Sequence, residues 1–354
     1  EFPLQKMIPE PTAEDVKNFL RRACQQFLEW GVTTAQDAYV FPETLRAYQE
    51  LRREGQLPVR FGLMLAFIHY ATGEDYSDEW VKVGLTTGFG DDWLRIIGVK
   101  FLCDGAFTGR TAAMYEPYVG EEVPEDSPMY KGILHIPPER VKELVMKAHL
   151  AGLRPCVHAQ GDYGIDVVLD AMEAALEEKP VEDHRMRIEH GGLTTPRQLE
   201  RMKRLGVLVS SSISFLGGDV STNWIYWGME RMRWTYALRS LMEYGIVAGG
   251  NGDWPVTTGN PLVGIATAAT RKAVTGDILD ASQCISVMDA IRMYTVNGAF
   301  LAFEEDIKGS LEPGKLADMV VLNRDILAIP PDEIRDVKVD MTIVGGEVKY
   351  RRAP

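Results

Sequence analysis

Residues 94–104 read LRIIGVKFLCD, and this apolar stretch decides the fold class of the 354-residue chain. A run of this length with few polar positions is typical of a parallel β-strand that helices cover on both faces. Helix-period segments separate it from the other strand-like segments, which lie at residues 32–35, 58–65, 154–159, 186–190, 207–212 and 246–253. Seven strands that alternate with helices predict a parallel sheet, either a (β/α)8 barrel or a doubly wound sheet.

The pattern changes after a helix predicted at residues 286–303. The next segments, KGSLEPGKLADMVVLNRD and VKVDMTIVGGEVKYRR, indicate three short strands, and Gly345-Gly346 fits a two-residue hairpin turn. We therefore expect a βα domain over residues 1–303 and a small β domain over residues 304–354.

Composition excludes several classes of protein. With 38 basic and 51 acidic residues, the net charge of −13 gives no electrostatic reason to bind nucleic acid or an anionic membrane. The four cysteines form no C-x-x-C pair, which argues against a disulfide framework and a cysteine zinc cluster. No apolar run approaches the roughly 20 residues that span a bilayer. The chain does not begin with Met, so we expect a natural start upstream of residue 1, and cytoplasmic location is the default expectation.

Four chemically capable side chains lie within or at the end of predicted strands. Lys100 lies inside the strand at 94–104, and His158, His190 and Asp253 lie at the ends of later strands. A βα barrel builds its active site at the C-terminal ends of its strands. A single strand-end His is more often structural, and a single Asp before a helix is usually a cap. A lysine inside a buried strand is costly unless it is paired or neutralised. Imidazoles and carboxylates bind zinc and similar ions, and a deprotonated lysine can add CO₂ to give a metal-bridging carbamate.

The chain resembles the amidohydrolase superfamily, in the family 3 branch of N-substituted formamide deformylase-like hydrolases. The shared motifs run through nearly the whole chain: GVTTAQDA (31–38), VKFLCDGAFTGRTAAMYEPY (99–118), VHAQGD (157–162), RIEHGG (187–192), GGNGDWPV (249–256), NPLVGIATAATR (260–271), YTVNGAFLAFEEDIKGSLEPGKLADMVVL (294–322) and MTIVGGEVKY (341–350). The resemblance implies an α/β fold, a TIM-like (β/α)8 hydrolase barrel with a small β-sandwich-type domain at the C-terminus.

The resemblance also implies roles for individual residues. Lys100 matches the lysine that is carbamylated and bridges metals, and His158 and His190 match the metal-binding histidines of strands five and six. Asp253 matches the strand-eight aspartate, which binds metal and acts as the catalytic proton carrier. The implied cofactor is a divalent metal, one or two ions of the Zn²⁺ type.

Loops around this centre supply the expected substrate contacts. Arg110 and Thr111 lie in the loop after the strand at residues 94–104, which is strand four of the family's barrel, and they are candidates for binding substrate. An aromatic insert at residues 215–236 either forms a wall of the pocket or packs on the barrel as a hydrophobic lid, through Phe215, Trp224, Tyr226, Trp227 and Trp234.

One departure from the family pattern concerns its first barrel strand. That strand carries His-x-His, and no such motif occurs among the six histidines here. We therefore expect strands two to eight only, with an open gap that exposes backbone edges. Three explanations stay open: a fragment, a chain completed by a separate N-terminal piece, or a short homologue with a weakened or different metal site.

Two functions from different classes follow. The first is metal-dependent hydrolysis of a non-peptide C–N bond in a small N-acyl or N-formyl amine, by water activated at the metal, with little activity expected from this chain alone. The alternative is a catalytically weak barrel fragment that acts as a binding or scaffold protein and forms homo-oligomers through its open edge. A dinucleotide enzyme needs a glycine-rich turn after an early strand, and the sequence has none there.

Overall fold

The computed structural model describes residues 11–69, 72–119, 123–127, 130–218 and 228–353. Its main feature is a sheet of seven parallel strands, paired in the order in which they occur along the chain. These strands are β1 Thr34–Val40, β2 Arg60–Ala66, β3 Leu94–Leu102, β4 Pro155–Ala159, β5 Arg187–His190, β6 Leu208–Ser211 and β7 Ala248–Gly250. A doubly wound sheet reverses its strand order at a switch point. The unbroken order therefore confirms the barrel-type alternative.

The sheet curls into an incomplete barrel whose two edges are β1 and β7. In the described part of the chain, no strand pairs with the outer side of either edge. The predicted strand at 32–35 is longer in the structure, because β1 continues along β2 to Val40 with an irregularity in register after Asp37. The predicted strand at 246–253 is shorter, since β7 has only three residues.

Helices connect successive strands and cover the outer face of the sheet. They are α1 Ala13–Glu29, α2 Pro42–Arg53, α3 Ser77–Lys82, α4 Pro138–Leu150, α5 Asp162–Glu178, α6 Pro196–Leu205, α7 Ser214–Gly217, α8 Met229–Met232, α9 Leu238–Glu243, α10 Pro261–Thr270, α11 Val287–Tyr294 and α12 Val296–Phe300. The helix predicted at 286–303 is two helices, because Thr295 leaves the helical region with φ −125° and ψ −92°.

The core lies between the sheet and these helices. All seven residues of β2 are buried, and Val99 and Phe101 of β3 are fully enclosed. Burial of each such aliphatic or aromatic side chain contributes about 1.5–3 kcal/mol. This packing holds the strand ends, and therefore the side chains they carry, in fixed positions.

The C-terminal segment forms a second, antiparallel sheet of three strands, β8 Met319–Leu322, β9 Val339–Val344 and β10 Glu347–Arg351. Gly345 and Gly346 both have positive φ (62° and 81°), as the predicted two-residue turn requires. The small sheet is joined to the barrel by the buried Arg60, whose Nε lies 2.7 Å from Oδ2 of Asp318. The domain boundary at residue 304 stays a prediction.

Among the described residues, no helix is long and apolar enough to cross a membrane.

Helix α6 begins with a capping box that offers a test of local stability. Thr195 Oγ1 accepts the main-chain N–H of Gln198, and Gln198 Oε1 accepts the N–H of Thr195. We expect Thr195→Ala to lower the free energy of unfolding by about 1 kcal/mol, because one N-terminal N–H of the helix loses its acceptor. Urea unfolding measures the change, and Lys203→Ala at an exposed position of α6 is the control. Equal stability of the two variants would contradict the assigned cap.

Candidate metal centre

His158 and His190 meet at the C-terminal ends of the adjacent strands β4 and β5. Their ring centroids are 4.3 Å apart and the ring planes are inclined by 67°. Both side chains are buried. His190 has a positive φ of 72°, so the chain turns sharply at this residue. The two imidazoles that the sequence predicted as ligands therefore lie in direct contact.

Hydrogen bonds determine which nitrogen of His158 is free. Its Nε2 lies 2.9 Å from the carbonyl oxygen of Gly105, which can only accept. Nε2 therefore carries the proton, and the lone pair is on Nδ1. Nδ1 makes no hydrogen bond to any described residue, which leaves that lone pair available to an ion.

A longer chain of hydrogen bonds determines the tautomer of His190. Asn251 Nδ2 donates to the carbonyl and hydroxyl oxygens of Ser210, so Asn251 Oδ1 must accept. Ser212 Oγ donates to that oxygen at 2.7 Å, and Ser212 therefore accepts at 2.7 Å from Nδ1 of His190. The lone pair of His190 is on Nε2. A ligating His typically donates its other N–H to such a partner, which orients the ring.

Both imidazoles are held in the neutral form. Burial lowers the pKa of His158 well below its usual value, and the charges of His190 and Lys100 lower it further. Burial and the charge of Lys100 likewise lower the pKa of His190. Because metal ions bind neutral imidazole, both rings are in the form that a metal requires at neutral pH.

Lys100 lies inside β3, and only 5% of its surface is exposed. Its ammonium makes no hydrogen bond or ion pair within the described ranges. A buried amine without a partner is costly, so this position suits a lysine that gains a bound partner or a covalent modification.

Asp253 follows β7 and has a positive φ of 47°. Its carboxylate accepts no hydrogen bond from the residues that the structure describes. Its charge raises the pKa of Tyr236 and partly opposes the lowering of the pKa of His158. Asp253 is therefore a free carboxylate within electrostatic reach of the histidines.

One cavity adjoins several of these groups. It has a volume of about 770 Å³ and lies along the open side of the barrel between β1 and β7. Lys100, His190 and Asp253 line it, together with Asp37 of β1 and Glu189 of β5. The size is within the range of small-molecule sites.

Asp104 lies two residues after the end of β3 and contacts the loops beside the centre. Its buried carboxylate accepts main-chain N–H groups of Ala113, Gln160 and Gly161 at 2.8–3.0 Å, and Oδ1 lies 3.6 Å from Nε2 of His158. Burial raises the pKa of Asp104 to about 7, against the lowering effect of these hydrogen bonds. Asp104 therefore ties the loops after β3 and β4 together.

Arg110 and Thr111 lie in the loop after β3, as expected. Arg110 is buried and has a positive φ of 52°. The hydroxyl of Thr111 lies 3.1 Å from the main-chain N of Ala106 and 3.3 Å from its carbonyl oxygen. A substrate contact by Thr111 would compete with these bonds, and the substrate role of both residues stays a prediction.

The aromatic insert is described only in part, because Trp224, Tyr226 and Trp227 lie outside the described residues. Phe215 is buried, and its ring centroid is 6.1 Å from that of His190 and 6.2 Å from that of Tyr236. Trp234 is half-buried. At least Phe215 therefore packs beside the centre rather than far from it.

The donor set fits a divalent ion as a partial site. Two oriented imidazole lone pairs, a free carboxylate and an unpartnered buried lysine are the donor chemistry of zinc-type ions. No group of three or more His, Cys, Asp or Glu side chains in a metal-holding arrangement occurs among the described residues. The two histidines alone are therefore fewer donors than a zinc site uses, and their role as metal ligands stays a prediction.

Sequence reasoning missed the residues that orient the two histidines by hydrogen bonds, namely Gly105, Ser212 and Asn251. Ser212 stands at the end of the VLVSSS stretch and Asn251 two residues before Asp253. Polar residues at the ends of neighbouring parallel strands were the available signal, since such ends meet at one edge of the sheet.

Comparisons with known proteins agree with this architecture. The chain is 28% identical over 314 residues to the amidohydrolase YtcJ of Bacillus subtilis. The aligned region covers 87% of this chain and 55% of that protein. It is 26% identical over 337 residues to the N-substituted formamide deformylase of Arthrobacter pascens, covering 94% of this chain and 60% of that protein. The chain thus spans little more than half the length of these relatives.

A solved structure shares the fold. The crystal structure of an uncharacterized metal-dependent hydrolase from Pyrococcus horikoshii matches with a TM-score of 0.77 and 30% identity, over 91% of this chain and 62% of that one. The sequence model of the amidohydrolase family matches residues 2–350. This chain belongs to the amidohydrolase family.

Proposed function

We propose that the chain carries the hydrolytic centre of a metal-dependent hydrolase that cleaves a non-peptide C–N bond in a small N-acyl or N-formyl amine. The observation that carries the proposal is the pair of neutral imidazoles, whose centroids are 4.3 Å apart and whose free lone pairs are fixed by Gly105 and Ser212. Lys100 and Asp253 share the adjoining cavity.

His158 Nδ1 and His190 Nε2 would hold one divalent ion of the Zn²⁺ type. Lys100 would add a further ligand after reaction with CO₂: once Nζ has lost its ammonium proton, the nitrogen lone pair forms a bond to the carbon. A second proton leaves to solvent, and the carbamate carries one negative charge shared by its two oxygens. Such a carbamate would remove the buried positive charge of Lys100. When bound, the ion supplies Lewis-acid chemistry, which polarises a carbonyl group and makes water acidic near neutral pH.

The protein's own groups supply the proton transfers. Asp253 has a carboxylate without a hydrogen bond to any described residue, so it is free to accept a proton from the attacking water. The same carboxyl group would return that proton to the amine nitrogen as the C–N bond breaks.

The substrate class is supported by a relative rather than by the site alone. The protein from Arthrobacter pascens is named an N-substituted formamide deformylase, an activity on a formyl C–N bond. The cavity of about 770 Å³ would accept a small molecule of that kind.

The test begins with metal uptake, because it does not depend on knowing the substrate. The purified chain is loaded with Zn²⁺ in bicarbonate buffer, dialysed against metal-free buffer and analysed for metal. We expect about one equivalent per chain, a number set by the single pair of imidazoles. The loaded chain is then assayed against N-formyl and N-acyl amines, with matched esters as alternative substrates.

Slow release of amine that requires the ion would support the proposal. Lys100→Met is the variant for the carbamate: it should take up less metal and show no dependence on bicarbonate. A chain that retains no metal, or one that cleaves only the esters, would overturn the proposed function.

A further inference from the structure

Arg271 is a buried arginine outside the centre, and its surface is 0% exposed. It follows α10 with a positive φ of 51°. Its guanidinium donates only to main-chain carbonyl oxygens: Nε to Leu279, Nη1 to Tyr236 at 3.1 Å, and Nη2 to Met232 at 2.8 Å and to Thr235 at 3.0 Å. Three of these carbonyls belong to one short segment, residues 232–236.

The guanidinium has no carboxylate partner at ion-pair distance in the described part of the chain. Burial lowers its pKa to about 10, so it stays charged at neutral pH. Direct contacts to the buried cation come from oriented carbonyl dipoles, and the charge of Asp280 acts on it from a longer distance. The guanidinium donates to four carbonyls from three nitrogens held in a rigid plane, whereas an ammonium has three donors on a single nitrogen.

Segment 232–236 is in turn bonded to the residues that follow His190. The N–H of Tyr236 donates to the carbonyl of Gly192 at 2.7 Å, and the N–H of Thr194 donates to that of Trp234 at 3.0 Å. Leu193 and Thr235 form an isolated antiparallel bridge. Residues 192–194 therefore form one short ladder with segment 232–236.

The same residues are attached on their other side to the loop after His158. The N–H of Leu193 donates to the carbonyl of Gln160 at 2.7 Å. The hydroxyl of Tyr236 lies 3.3 Å from Oε1 of Gln160. A side chain at Gly192 would stand 2.6 Å from the carbonyl oxygen of Gln160, so the two loops are in close contact.

We propose that Arg271 is a positioning residue for the centre at His158 and His190 and that it acts through segment 232–236. The proposal rests on the proposed function, since it concerns the same centre. Arg271 fixes the carbonyls of 232–236, the ladder then fixes residues 192–194, and these set the turn at which His190 adopts its positive φ. No atom of Arg271 needs to reach the ion or a substrate.

The experiment compares the whole chain with Arg271→Lys and with the control Arg239→Lys. Arg239 also donates to a carbonyl, that of Cys284, but from an exposed position. The first readout is amide hydrogen exchange of the metal-free proteins. We expect Arg271→Lys to speed exchange at Tyr236 and Thr194 by at least about tenfold, because several hydrogen bonds are lost together. Arg239→Lys should leave these amides unchanged.

The second readout is Co²⁺ binding, followed by its visible absorption spectrum. We expect Arg271→Lys to bind Co²⁺ about 10–100-fold more weakly, with altered absorption bands, as for loss of a group that orients a ligand. A purely structural arginine would change the unfolding temperature but leave the cobalt spectrum of the folded fraction unchanged, which would overturn the proposal. Unchanged exchange at Tyr236 and Thr194 would overturn it as well.

A measurement on the unsubstituted chain covers the case in which Arg271→Lys does not fold. Coupling between sites is reciprocal, so bound Co²⁺ should slow amide exchange in segment 232–236. Protection confined to residues near the two histidines would contradict the proposed connection. If the unsubstituted chain binds no Co²⁺, both the proposed function and the positioning role of Arg271 are wrong. If Co²⁺ binds equally well with and without Arg271, only the positioning role is wrong.

Discussion

Replacing His190 with glutamine is expected to weaken Zn²⁺ binding by more than about 100-fold. Loss of a residue that only hydrogen-bonds to a metal ligand weakens binding by roughly 10–100-fold, and loss of the ligand itself should cost more. The imidazole Nε2 carries the oriented lone pair, because Nδ1 donates to Ser212 Oγ at 2.7 Å. Glutamine removes this nitrogen and leaves a single histidine in the pair. Competition titration with a chromophoric zinc chelator, in bicarbonate buffer, measures the dissociation constant.

Two further variants make the measurement specific. Ser212→Ala keeps both imidazoles but removes the acceptor of His190 Nδ1, so its affinity should lie between those of the unsubstituted chain and His190→Gln. His184→Gln is the control, because His184 precedes β5 at the opposite end of that strand and bonds to Leu205 and Met186 instead. Equal zinc affinity of His190→Gln and His184→Gln would show that the ion is bound elsewhere.

The main parts of the candidate site could be predicted because they depend on strand ends. Strand periodicity placed His158 and His190 at the ends of neighbouring parallel strands, and such ends lie at one edge of any parallel sheet. The burial of Lys100 likewise followed from the apolar residues around it in residues 94–104. These features are local in sequence, and the sheet only brings them together.

The supporting contacts depend on loop conformation and could not be predicted in this way. Asp104 accepts N–H groups from two loops that are about 50 residues apart, and Arg271 binds carbonyls of a segment that begins at Met232. His190 and Asp253 take positive φ, which few non-glycine residues adopt. A strand pattern contains no information on such turns.

The ends of strands and helices also differ in how well the sequence predicts them. The apolar stretch at 94–104 gave a strand close to the observed β3, since its length and burial agree with a parallel strand. The helix predicted at 286–303 instead breaks at Thr295, whose hydroxyl donates to the carbonyl of Ile291. Apolar spacing continues across this break, so periodicity alone did not reveal it.

The metal-free chain is expected to lose stability as pH falls below about 6.5, and the two histidines account for a defined part of that loss. In the folded state burial keeps the pKa of both well below the usual value, whereas in the unfolded chain each titrates near 6.5. Between these values the unfolded state binds more protons, so the free energy of unfolding rises with pH and falls on acidification. Each histidine contributes almost nothing above pH 6.5 and approaches about 1.4 kcal/mol per pH unit below it.

Asp104 acts in the opposite direction and must be separated from the histidines. Its folded pKa is raised to about 7, so below that pH the folded state holds the additional proton and gains stability relative to the unfolded chain. This contribution is common to the unsubstituted chain and to His190→Gln. The difference between the two proteins therefore isolates one histidine.

The measurement is urea unfolding at pH 7.5 and pH 5.5 in the presence of a chelator. Acidification should cost the unsubstituted chain about 1.4 kcal/mol more than it costs His190→Gln, because the variant has one buried neutral imidazole fewer. His158 stays neutral in the variant, since burial and the charge of Lys100 still lower its pKa. Lys203→Ala, at an exposed position of α6 away from the two histidines, should follow the unsubstituted chain. The same loss in His190→Gln as in Lys203→Ala would mean that His190 accepts a proton in the folded protein and is not held as a neutral ligand.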